Sequence, residues 1–253
     1  MSRHWTSLAF YLLLSTLAVP AAARAQASGY KTADFDITAA SVAYLSDLDL
    51  LVFEQQAAGT AGATIPTPRG QLDGAPVLGY VFPTSLTPQA VGFDATTGIV
   101  ALAATSHPDF DDTPLWDENG DGNYGNDGVT WHTHWVVLVE DTRVPGGLSV
   151  REFRRTDAVV LPPTNPGMPM YMDSPGFSVV TRANTIRVLV PASRIRFDAG
   201  GPAFNFDAVT CYMRVSAPAG DHAESRDLPM LGVYEVFDVL SGDLTLPYSV
   251  IRK

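Results

Sequence analysis

The chain has 253 residues, 46% hydrophobic and 17% charged, with 21 Gly and 19 Pro. That balance excludes a disordered tail protein and a long coiled coil. A formal charge of −11, with Lys only at Lys31 and Lys253, excludes an internal catalytic or P-loop lysine and a nucleic-acid-binding surface.

Residues 1–27 read as a secretory signal peptide. Arg3 and His4 give a positive start, and Leu8 to Val19 supply an apolar stretch too short to span a bilayer with these flanks. Pro20 breaks the segment, and Ala23-Arg24-Ala25 and Ala25-Gln26-Ala27 are small-x-small cleavage sites. No later apolar run is long enough for a membrane span. The expectation is a secreted protein, periplasmic or extracellular, with residues 28–253 as a single domain.

The charge is unevenly placed. Ser28 to Asp141 holds 2 bases against 16 acids, whereas Thr142 to Lys253 holds 12 against 11. No Lys or Arg occurs between Arg69 and Arg143. Carboxylates without cationic partners repel one another unless water or a metal ion compensates them.

Strand patterns follow in order: Phe35 to Leu45, Leu48 to Gln55, Val77 to Phe82, Gly98 to Ala104, Trp131 to Glu140 and Leu148 to Phe153. Phe177 to Arg182 and Thr185 to Val190 flank Ala183-Asn184, a two-residue hairpin signal. Phe204 to Ser216 and Gly232 to Leu240 complete the set. No helical pattern of useful length competes with them. Such a series suits a sandwich or a barrel. The reading taken forward is all-β: an antiparallel β-sandwich with long loop insertions at Ala57 to Gly74, Ser106 to Gly128 and Leu161 to Gly176.

Asp36 to Phe53, through Val42-Ala43-Tyr44, and Thr185 to Pro191, leading to Phe204-Asn205-Phe206 and Asp227-Leu228-Pro229, resemble the early and late strands of secreted modules. Those modules are the DOMON-like and family-9 carbohydrate-binding-like β-sandwiches. The resemblance covers about a third of the chain. It implies an immunoglobulin-like sandwich with a sugar or haem ligand on one face. Trp116, Trp131 and Trp135 would then be the stacking platform.

The most specific local motif lies in the acidic loop. Asp117, Asn119, Asp121 and Asn123 occupy positions 1, 3, 5 and 7 of a calcium loop, with Gly122 at the sharp turn. The segment resembles the calcium loops of EF-hands and other DxDxDG proteins. Position 12 is Gly128 and not Glu, so Asp127 is the candidate for the missing carboxylate, with Asp111 or Asp112 reaching in from upstream. The alternative is an Asp/Asn/Gly turn with no ion.

His132 and His134 form His-x-His in a strand, which puts both imidazoles on one face, an arrangement suited to copper or zinc. Glu140 shares the parity but lies about 20 Å from His134 along an extended strand. His107 opens the acidic loop, which could fold back to the same end. The alternative for the pair is hydrogen-bonded, metal-free histidines beside Trp131 and Trp135. Met168, Met170 and Met172 alternate, as Cu(I) ligands could, but suit a packed loop better. Cys211, the only cysteine, lies in an apolar run and reads as a buried thiol. No GxSxG, HExxH or CxxC occurs. Gly120 to Gly125 matches GxGxxG, but its acids would repel a pyrophosphate.

These readings converge on an exported metal-binding protein, with calcium at Asp117 to Asp127 and copper or zinc at His132, His134 and His107. It would act in binding rather than catalysis. A sugar- or haem-binding module and a metal-dependent enzyme built on the His pair are the alternatives.

Overall fold

The computed structural model describes residues 29–113, 117, 128–197, 200–217 and 227–253. The leader-like segment and most of the DxDxDG stretch lie outside them. The strands are β1 (Ile37–Leu45), β2 (Leu50–Ala57), β3 (Pro76–Pro83), β4 (Ile99–Ser106), β5 (His132–Glu140), β6 (Leu148–Val150) and β7 (Met172–Asp173). They continue as β8 (Ser178–Arg182), β9 (Thr185–Pro191), β10 (Asn205–Phe206), β11 (Val209–Val215), β12 (Leu231–Val239), β13 (Tyr248–Ser249) and β14 (Ile251–Arg252). Among the described residues no helix is long and apolar enough to cross a membrane.

All ten expected strands are present. Phe204 to Ser216 is split, because the buried Asp207 carboxylate accepts from the Ala208 amide and from Ser241 and interrupts the ladder. The hairpin at Ala183-Asn184 joins β8 to β9, with Arg182 opposite Thr185 and Ala183 at a φ of 51°.

The expected sandwich is not what these strands build. Six of them close on themselves as an antiparallel β-barrel in the order β4-β3-β11-β12-β6-β5, and β5 pairs back to β4. The closing ladder runs from Ile99 opposite Leu138 to Thr105 opposite His132. It joins strands separated by the long acidic loop, so no local hairpin signal announces it. Short β6 bridges β5 and β12 with few pairs. A separate five-stranded sheet, β14-β1-β2-β9-β8, lies against one side of the barrel.

Strand alternation divides the apolar residues between two cores. On β5, Trp135 and Val137 face the five-stranded sheet, where Phe53 packs edge-on against Phe82 and Trp135. Val136 and Leu138 face into the barrel with Val81, Ala103, Val150, Cys211 and Val233. His132 and His134 share the parity of Val136. β5 is buried on both faces from His132 to Leu138, which explains why it reads as a nearly continuous apolar run.

Candidate metal centre

The site forms where the barrel closes. The acidic loop leaves at the end of β4 and returns at the start of β5, and its base is zipped shut. Ser106 Oγ donates to the Val129 carbonyl at 2.7 Å, and the His107 amide donates to the Gly128 carbonyl. A Cβ on Gly128 would lie 2.2 Å from the carbonyl oxygens of both His107 and Phe110. Only glycine lets the two ends of the loop approach so closely. Phe110 stacks on His107 at 4.0 Å between ring centroids. Asp109 ties the loop to the Arg69 and Gly70 amides, and Asp111 caps Thr113. Between these anchors the chain carries Asp112 inward.

His107, Asp112, His132 and His134 are all buried and offer ligand atoms within 4.8 Å of one another. His107 Nε2 and His132 Nε2 each lie 3.3 Å from Asp112 Oδ1, and His134 Nε2 lies 3.5 Å from Asp112 Oδ2. The Nε2 atoms of His107 and His132 are 2.7 Å apart. Thr105 Oγ1 lies 3.3 Å from His132 Nε2.

The outer nitrogens determine what this cluster can do. His107 Nδ1 is 3.1 Å from the Phe110 carbonyl, and His132 Nδ1 is 2.7 Å from the Thr130 carbonyl. A carbonyl only accepts, so each Nδ1 carries a hydrogen and each ring turns its Nε2 toward the cluster. His134 Nδ1 is 3.0 Å from Ser174 Oγ. Imidazole nitrogens therefore meet a carboxylate in a buried space. His134 Nε2 and Asp112 Oδ1 are buried without a hydrogen-bond partner. Buried polar atoms without partners are costly, and each calls for an explanation.

Burial pushes the His134 pKa down to about 3, against the pull of Asp112, so its ring is neutral at physiological pH. Burial also works against ionisation of Asp112, but His134 and His107, with hydrogen bonds from His107 and His132, outweigh it and hold the carboxyl well below the usual range. The cluster is a buried set of three imidazoles around one carboxylate. It could hold a metal ion. Tetrahedral zinc with bonds of about 2.0–2.1 Å needs ligand atoms roughly 3.3 Å apart. The His107 and His132 separations from Asp112 Oδ1 match that edge length, the 2.7 Å between the two rings is shorter than it, and the outer Nδ1 contacts are the kind that orient metal-bound histidines.

His107, His132 and His134 thus come together, as the sequence suggested. Asp112 joins them. Its signal was present, as one of the acids between His107 and the His-x-His pair, but sequence does not show which acid turns inward. Asp117 is half-buried, while Asn119, Asp121, Asn123 and Asp127 lie outside the described residues. Glu140 is exposed at the far end of β5. Trp131 and Trp135 are buried, the first donating to the Gly62 carbonyl, so neither forms an exposed stacking platform. Trp116 lies outside the described residues. Met170 and Met172 are buried in the barrel core, and Cys211 is a buried free thiol. The chain matches no protein-family model, no curated protein and no solved structure.

Proposed function

We propose that this chain is a metal-binding protein that holds one divalent transition-metal ion, zinc or copper, through the Nε2 atoms of His107, His132 and His134 and a carboxylate oxygen of Asp112. One observation carries the reading: three buried imidazoles and a buried carboxylate bring their ligand atoms within 4.8 Å of one another, and His134 Nε2 and Asp112 Oδ1 have no hydrogen-bond partner there. Three nitrogens and one oxygen make a borderline-hard set suited to zinc or Cu(II), and four protein donors fill a tetrahedron. That favours retention of the ion over catalysis, which needs an open position. Export from the cytoplasm belongs to the same reading and rests on the leader-like residues 1–27. A calcium ion at Asp117 to Asp127 is a separate proposal supported by donor spacing alone.

The test is metal analysis of untagged protein, followed by zinc and copper titration after chelation. The reading expects one equivalent bound by the parent chain and none by the His132→Ala/His134→Ala variant, with the fold retained by circular dichroism. A folded parent chain that takes up neither ion would overturn it. In that event one proton shared between His107 and His132 is the remaining account of their 2.7 Å approach. N-terminal sequencing of the exported chain checks the leader, and calcium titration of the His-variant checks the loop.

A further inference from the structure

A second feature begins where the metal cluster ends. The barrel interior is not filled: a cavity of about 60 Å³ lies within it, lined almost wholly by aliphatic side chains from all six strands. His134 and Thr105 form part of its wall, so one imidazole belongs both to the cluster and to the cavity. Interiors normally leave few voids larger than a water molecule. The more so in a barrel of six strands, where fewer strands enclose less space than the eight whose side chains already fill the lumen. The room comes from small inward residues, Ala103 on β4 and Cys211 on β11.

The end away from the histidines is closed in an unusual way. Pro83 and Ile99 mark that end on β3 and β4, opposite the Ser106 end that leads to His107. Leu244 and Leu246, from the segment after β12, complete the lining there. Both are left-handed, at φ 59° and 53°, where a leucine is an outlier and glycine is the default. Ser241 holds the segment by bonding to Asp207 and to the Leu244 amide, and the Asp207 amide bonds to the Pro83 carbonyl. Backbone strain of this kind persists only where the surroundings impose it, and it gathers at binding sites and clamps.

We infer that the barrel lumen is a binding site for a small, uncharged, apolar molecule of a few heavy atoms, plugged by Leu244 and Leu246 and abutting the metal cluster through His134. An apolar cavity stays dry, so its natural occupant is apolar. The volume is well below the 150 Å³ that admits benzene, which sets an upper size. The lumen site stands without a metal. Only its nearness to an ion rests on the function proposed above.

Xenon is the probe. Titration of the metal-free full chain, followed by ¹²⁹Xe NMR, is expected to show saturable binding, displaced by propane and not by benzene. Cys211→Leu and Ala103→Leu fill the lumen from different walls, and at least one that stays folded should weaken xenon binding tenfold or more. Leu246→Gly relieves the left-handed leucine and removes half the plug, so xenon exchange should quicken severalfold. A shift that rises linearly without saturating, or equal saturation in the folded filled variants, overturns the site. Unchanged exchange in Leu246→Gly overturns the plug. Loading with cobalt should relax bound xenon severalfold faster than loading with zinc, and equal rates overturn the nearness to the ion. If no metal binds, the metal-site reading fails and the xenon titration still decides the lumen.

Discussion

At the residue scale the site depends on the Asp112 carboxylate that the three imidazoles face. Asp112→Asn keeps the shape but replaces one acceptor oxygen with an N–H₂ donor and removes the charge. Zinc affinity should fall by more than the 10- to 100-fold typical of losing an outer hydrogen-bond partner. Ser174→Ala removes such a partner from His134 Nδ1 and should stay within that range. Competitive titration against a chromogenic chelator measures both, and an Asp112→Asn protein that binds as well as the parent removes the carboxylate from the site.

His134 also sets a pH dependence in the metal-free protein. Its folded pKa, about 3, lies below the ordinary 6.5, so between those values the unfolded chain binds a proton that the folded chain refuses. Stability from this group is fully present above about pH 6.5 and is lost as the pH falls toward 3. The slope is at most about 1.4 kcal/mol per pH unit. Urea denaturation from pH 7 to 4 should show this loss, and His134→Gln should flatten it. A parent chain as stable at pH 4 as at pH 7 would contradict a buried neutral ring.

At the element scale the loop between β4 and β5 is a device for placing two ligands. Its zipped base delivers His107 beside His132, and Gly128 is the position that permits the zip. Gly128→Ala should cost about 1–3 kcal/mol, the usual range for forcing atoms into a filled space, and should weaken zinc binding with it, because the obstacle is backbone on both sides. Calorimetry and zinc titration of this variant check both effects. Here the limits of the sequence become physical. His-x-His declared its shared face through strand parity, and the strands declared themselves by alternation. Barrel closure did not, since the β4–β5 ladder joins segments with the whole acidic loop between them. Asp112, named with Asp111 only as a further ligand for the calcium loop, was not assigned to the histidines for the same reason. In sequence it is one acid among several, and only the loop's path distinguishes it.

At the scale of the whole molecule the proposed ion would fasten that loop across one end of the barrel. A ligand that binds only the folded chain stabilises it by about 4 kcal/mol when present at a thousand times its dissociation constant. Cys211 reports whether this happens. It faces the lumen, and burial pushes its thiol up to about 12, so it is both inaccessible and largely protonated in the closed barrel. A thiol reagent should therefore label it only through opening of the barrel. Zinc should slow that labelling by orders of magnitude in the parent chain, and leave it unchanged in His132→Ala/His134→Ala. Rapid labelling of the folded, zinc-loaded protein would show that the barrel opens without releasing the ion, and that the cluster does not hold it shut.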